Sequence, residues 1–177
     1  MSTSQLLRNL MKAAHEVLEG TVADVNTQTA QWCPPGKAHP VGALYVHILM
    51  GEDSLLNGAV RGGAPLFATT FAGKVGVSET PPAPDQDGWD EWARRVQVDM
   101  AVARAYAAAV YAETDAYLAS QSDADLGKTI KHPFANFGFP DTTPADFIAS
   151  VLSQHVAHHT GEISAMKGVQ GLKGYPF

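Results

Sequence analysis

The stretch Ser153-Gln154-His155-Val156-Ala157-His158-His159-Thr160-Gly161-Glu162 holds three of the chain's seven histidines within five residues. Read as a helix, at roughly 100° per residue, it sets His155 and His159 roughly 40° apart, one turn above each other. That spacing lets two imidazoles converge on one ion, as the paired histidines of HExxH helices do. On the same wheel Ile148, Val151, Leu152, Ile163 and Met166 surround the direction that the pair shares. The two histidines therefore point into a core, and His158 falls on the flank of the apolar stripe. A polar side chain aimed at a core needs a partner, because leaving it unpaired costs ~1–3 kcal/mol. A metal ion is one such partner, and a buried carboxylate or hydroxyl is another.

Three further long helices are expected. The histidine helix itself begins after Thr143-Pro144, where Thr143 and Asp146 resemble a capping box with Asp in place of Glu or Gln. It runs to about Lys167, with Gly168 as its stop. The first helix runs from about Ser4 to Ala30, with Leu6, Leu10, Ala14, Val17, Leu18, Thr21 and Val25 on one face. It is ended by Cys33-Pro34-Pro35-Gly36, because proline cannot continue a helix. The second starts near Pro40, stripes Val41, Leu44, Ile48, Leu55 and Ala59 along its core face, and stops before Arg61-Gly62-Gly63. The third spans roughly Asp87 to Ser120, with Asp87 as N-cap and Trp92, Val96, Met100, Ala103, Ala107, Val110 and Tyr117 as its stripe. Ten alanines and no proline between 88 and 120 make it the strongest helix former.

Two connectors separate these helices. Residues 61–87 contain four glycines and four prolines, with a short helix expected around Leu66–Phe71, and suit a lid or substrate-facing loop. Residues 121–143 offer Thr129-Ile130-Lys131 as a brief strand. The expected architecture is all-α, a four-helix bundle formed by residues 1–177 as a single domain, with long irregular connectors. The short link between the first two helices favours antiparallel neighbours, and the long connectors permit a crossover.

Composition narrows the function. The net charge of −6 argues against a nucleic-acid binder, which needs clustered Lys and Arg. The single cysteine, Cys33, excludes an internal disulfide and a cysteine zinc site, so imidazole must supply the ligands for any metal. No apolar run reaches the ~18 residues of a membrane helix, and Lys12, His15 and Glu16 interrupt the N-terminal stretch where a signal peptide would be apolar. A cytoplasmic protein that contacts neither membrane nor nucleic acid is expected.

A catalytic zinc site commonly takes three protein ligands and leaves a position open. His47 is the best third ligand, mid-helix among the small residues Ala43, Gly51 and Ser54, which leave room for an ion and a substrate. His15 on the first helix competes with it. His39 and His132, beside prolines in the connectors, are weaker candidates.

At these residues the sequence resembles the DinB-like superfamily, also called YfiT-like, of damage-inducible metal-binding four-helix bundles. The family pattern is a helix-2 histidine followed closely by an acid, then His-x-x-x-His-x-Gly-Gln/Glu in the last helix. Here these are His47 with Glu52 and Asp53, then His155, His159, Gly161 and Glu162. Trp32-Cys33-Pro34-Pro35-Gly36-Lys37 also fits the family's Trp/Pro/Gly approach to helix 2. The resemblance implies a bundle with a long crossover, homodimerisation, and a divalent metal, zinc or nickel, held by His47, His155 and His159. It also implies a small-molecule substrate: better understood relatives transfer a low-molecular-weight thiol (mycothiol, bacillithiol or glutathione) to electrophiles or isomerise such adducts. Thr160 stands where the family often has Arg, and residues 61–87 are long for the family.

Three imidazoles around a divalent cation suit that chemistry. A water in the open position is acidified towards a pKa of ~7, and a thiol there is deprotonated outright. Glu52, Asp53 or Glu162 would orient a ligand histidine through its second ring nitrogen, and Glu162, between His155 and His159 on the wheel, would alternatively act at the ion itself. A metal-dependent thiol S-transferase is the leading expectation. The alternatives are a metal-dependent hydrolase and a non-catalytic, metal-binding dimeric module.

Overall fold

In the computed structural model, which describes residues 1–82 and 87–177, the Ser2 hydroxyl accepts from the Gln5 amide and starts α1 (Thr3–Val22). The expected helix to Ala30 is two helices. Asn26 turns its side chain to the Thr29 amide and caps a separate α2 (Thr27–Gln31), a local bond that competes with helix continuation. The buried face of α1 is Leu7, Met11, His15, Leu18 and Val22, whereas Leu6 is 52% and Leu10 38% exposed. The N-terminal part of the core stripe is therefore one residue out of register with the one expected, while Leu18, Thr21 and Val25 are buried as expected.

Pro40 precedes α3 (Val41–Asp53), which continues without a break as a π-helical stretch, Ser54–Val60. A short 3₁₀ turn, Leu66–Ala68, follows in the connector. Beyond it, α4 (Trp89–Arg95) starts after Gly88, with Asp90 and Glu91 in its first turn and Arg94 and Arg95 in its last, matching the helix dipole. Asp87 is not its cap, and the expected third helix is broken at residues 96–99. There Val98 bridges antiparallel to Val77, and the Asp99 amide donates to the Gly76 carbonyl at 2.8 Å. Gly76 has φ +86°, and a Cβ on it would lie 2.8 Å from the Asp99 carbonyl, so this junction requires glycine. Asp99 then accepts from the Ala101 and Val102 amides and caps α5 (Met100–Ser120).

A Ser122–Asp125 capping box opens α6 (Asp123–Leu126), and Ile130 pairs with Thr142 in one isolated bridge at the place of the expected strand. Thr143 caps α7 (Pro144–Phe147) by accepting from the Asp146 amide. That helix passes through a second π-helical stretch, Ile148–Leu152, into α8 (Ser153–Val169). Among the described residues no helix is long and apolar enough to cross a membrane.

The four long helices pack as a bundle in which α1 lies against α5 and α8, and α3 lies against the same two. Helices α1 and α3 thus face each other across the diagonal rather than side by side. Bonds from Arg8 to Asp115 and from Arg104 to the Val22 carbonyl make α1 and α5 antiparallel. Tyr45 to Glu19 and His15 to Glu52 make α1 and α3 antiparallel too. The α3 and α5 neighbours therefore run parallel, and residues 61–82 and 87–99 belong to the long crossover that joins them. Helix α3 is the central element: from Val41 to Leu49 every residue is buried except half-buried His47.

Asp53 fixes the start of that crossover. Its carboxylate is fully buried and accepts from Asn57 Nδ2 at 2.6 Å, Tyr106 Oη at 2.7 Å, and the Leu66 and Phe67 amides at 2.9 and 3.0 Å. Burial and this acid together push the Tyr106 phenol well above its usual range. Asp53→Ala should cost about 3 kcal/mol or more in urea denaturation, because it strands two amides and a hydroxyl at once. Tyr106→Phe removes one of four bonds and should cost about 1 kcal/mol. Equal losses in the two variants would remove Asp53 from this role.

Candidate metal centre

The three expected ligands meet between α3 and α8. His47, His155 and His159 each offer a ring nitrogen, and these atoms all lie within 4.8 Å of one another. The ring centroids of the three imidazoles are 4.7–5.0 Å apart. His47 Nε2 and His155 Nε2 stand 3.2 Å apart. Nitrogen ligands at ~2.0–2.1 Å in a tetrahedral zinc site are about 3.3 Å from each other, so this pair already has the bite of a chelate.

Three local features set that geometry. His155 and His159 rise from one face of α8, one turn apart. Gly51, one turn after His47 on α3, makes the space for His155: a Cβ there would lie 2.6 Å from His155 Cε1 and 3.2 Å from its Nε2. Glu162, three residues beyond His159, accepts from His159 Nδ1 at 2.7 Å. That bond places the proton on Nδ1 and leaves the Nε2 lone pair for an ion.

Electrostatics keep the ligands neutral. Burial, helped by the nearby His159, lowers His47 to about 4, and burial with the neighbouring imidazoles lowers His155 to about 3. A metal needs the uncharged ring. His155 Nδ1 is buried and has no hydrogen-bond partner among the described residues, a cost of about 1–3 kcal/mol. Such an orphaned group is the kind of local expense that accompanies a functional site. The donor set, its spacing and the glycine cradle all fit a divalent cation.

The remaining histidines are committed elsewhere. His15 Nε2 bonds Glu52 at 2.8 Å on the far side of α3. His39 bonds Asp90 at 3.0 Å, and His158 is exposed. His132 is buried among Phe139, Phe147 and Phe134, and its Nδ1 accepts the Phe134 amide. Of the three acids expected to orient a ligand, only Glu162 reaches one. Glu52 and Asp53 are fully buried but turned towards α1, α5 and the crossover. Cys33 is exposed.

Sequence reasoning missed Trp89. It sits at the start of α4, where the crossover passes the centre, and its ring stands 4.8 Å from His47 and 4.8 Å from Trp92. The available signal was an aromatic residue just after Gly88, at the end of a long connector. Pro34 of the Trp/Pro/Gly approach is tied to the same helix, because Arg94 donates to its carbonyl and to that of the following Ala38.

Comparisons with known proteins bear on the family and the fold. A family model for the DinB superfamily matches residues 10–163. The fold is similar to that of a conserved protein from Enterococcus faecalis, known from its crystal structure, with a TM-score of 0.79 and 24% sequence identity. The match covers 97% of this chain and 99% of that one. No curated protein matches the chain.

Two outcomes test the centre. Gly51→Ala drives a methyl into the His155 ring, so zinc or nickel affinity measured by calorimetry should fall at least roughly tenfold, and unchanged affinity would remove the cradle. An unfolded histidine titrates near ~6.5, and the folded values of His47 and His155 lie below it. Acid therefore protonates the unfolded chain first: stability is intact above pH ~7 and declines as pH falls from ~6.5 towards 4, by up to ~1.4 kcal/mol per group per pH unit. Denaturation of metal-free protein at pH 7.5 and 5 should show this, with a shallower decline for His47→Gln.

Proposed function

The chain belongs to the DinB superfamily, and from that membership we propose that it is a metal-dependent enzyme that activates a low-molecular-weight thiol and transfers it to an electrophile. The observation that carries this reading is a set of three imidazole donors, His47, His155 and His159, with no carboxylate among them. Zinc or nickel suits such donors. When bound, the cation would acidify a thiol or a water in the position that three protein ligands leave open.

The chain's own residues supply the rest. His47 comes from a helix buried along most of its length, so its ring is held by packing rather than by a loop. Glu162 holds the His159 tautomer. Trp89 walls the centre on the crossover side with an apolar ring, which excludes water from that side and gives a flat surface for an organic electrophile. The thiol's proton leaves to solvent, and the thiolate sulfur bonds the electrophilic carbon as that carbon's bond to its leaving group breaks, the leaving group departing as an anion (chloride from monochlorobimane).

Metal analysis of the purified protein should find about one divalent ion per chain, lost in the His155→Ala/His159→Ala double variant. Full occupancy in that variant would sink the assignment. Thiol consumption with monochlorobimane should then be stopped by a chelator and restored by zinc or nickel. Glu162→Gln should weaken metal binding roughly tenfold while leaving the fold intact. Ester hydrolysis that needs the metal but no thiol would replace the transferase reading with a hydrolase. Metal that raises the melting temperature and supports neither reaction would leave a structural metal module.

A further inference from the structure

The edge of the bundle opposite the three-histidine centre, where α1 lies beside α5, holds a cleft of about 540 Å³. That is within the ~300–1,000 Å³ of small-molecule pockets. Met11, Leu118 and Ala112 give it apolar walls. Two polar groups inside it have atoms left over.

The first is His15, whose side chain is only 10% exposed. Its Nε2 is held by Glu52 at 2.8 Å, its ring lies over Tyr111 with centroids 3.8 Å apart, and its Nδ1 has no hydrogen bond among the described residues. Glu52 is an acceptor, since it also receives the Thr114 hydroxyl, so the Nε2 of His15 is the donor, and in the neutral ring Nδ1 presents a lone pair. The second is Glu19. The Tyr45 and Tyr111 hydroxyls both donate to its Oε1, at 2.9 and 2.7 Å, and its Oε2 has no partner among the described residues. The basic residues at the rim are engaged: Arg8 grips Asp115 through two bonds of 2.7 and 2.9 Å, and Lys12 lies 3.7 Å from Glu16.

We propose that this cleft is a second binding site, for a small organic monocation with an apolar body, an alkyl- or arylammonium. The ammonium donates to Glu19 Oε2 and to His15 Nδ1, and the body lies on Met11, Ala112 and Leu118. A cation fits better than a neutral donor because the Glu19 carboxylate has no salt-bridge partner among the described residues, and a charge-assisted bond is roughly twice as strong as a neutral one. The site does not depend on the metal: α3 separates the two, with His47 and Gly51 on the α8 side and Glu52 on the other.

The test titrates 2-phenylethylammonium into the full chain, with and without zinc, followed by NMR, with 2-phenylethanol as the neutral comparator. Saturable shifts are expected at Met11, Ala112 and Leu118, with the alcohol at least tenfold weaker. Glu19→Gln should weaken the ammonium at least tenfold, and His47→Ala should leave its affinity unchanged. Ala112→Trp, at the exposed rim, should block the cleft by bulk and stands in if Glu19→Gln does not fold. No saturable shift at the three residues, equal affinity for the alcohol, or shifts confined to the surroundings of His47 and His159 would each overturn the proposal.

Discussion

Two consecutive carboxylates, Glu52 and Asp53, are fully buried at the end of α3, and satisfying them fixes how that helix is turned. An unpaired buried charge costs several kcal/mol, so the bonds they accept are obligatory. Glu52 takes His15 from α1 and Thr114 from α5. Asp53 takes Tyr106 from α5 and two amides of the crossover. Helix α3 can rotate neither way without stranding one of them. His47 precedes Glu52 by five residues, which on a helix is about 140° of rotation, and Gly51 precedes it by about 100°. With Glu52 held towards α1 and α5, His47 and Gly51 must face α8. A network that never touches the three-histidine cluster therefore aims it.

The sequence carried the centre more clearly than it carried this network. His155 and His159 were legible because i and i+4 spacing is a geometric statement that needs no tertiary information. His47 was legible through its small neighbours, and Gly51 among them is the residue that houses His155. The four-helix class followed from helical periodicity, whereas the two long connectors only permitted the crossover that the family resemblance implied. His15 read as a competitor for the metal, and Glu52 and Asp53 as acids that orient a ligand histidine, because a sequence does not reveal that one polar residue will bury against another 37 positions away. The breaks at Ala23–Asn26 and at residues 96–99 were hidden for a related reason. No proline or glycine marks either one, and in each the stop is an Asn or Asp side chain capping the next helix, Asn26 and Asp99.

The two π-helical stretches account for the remaining error of phase. A π-turn takes one more residue than an α-turn, so everything beyond it is rotated by about one residue's 100°. Ile148 and Leu152 lie within such a stretch and are fully buried. Beyond it the buried face of α8 is Ser153, Val156, Thr160, Ile163 and Lys167. An undistorted wheel puts Ile148 on the line of His155 and so places the histidines in the middle of the core. The inserted turn moves them to the flank that meets α3, where they are half-buried and open to a ligand. The second stretch, Ser54–Val60, follows Asp53 directly and carries Asn57 and Arg61 into the polar network around it.

The same arrangement sets the charge of the centre. The nearest helix-2 acids are spent on the opposite side of α3, and Glu162 touches only the outer nitrogen of His159. The donor set is therefore neutral, although the chain as a whole carries −6. A divalent cation among neutral donors keeps its charge and favours an anion in its open position, whereas carboxylate donors would cancel much of that pull. The parallel course of α3 and α5 completes the design. It obliges the chain to return along the bundle, and the returning segment is the one that lays Trp89 against His47. The length of the crossover is thus a topological requirement, and the wall of the centre is built from the segment that meets it.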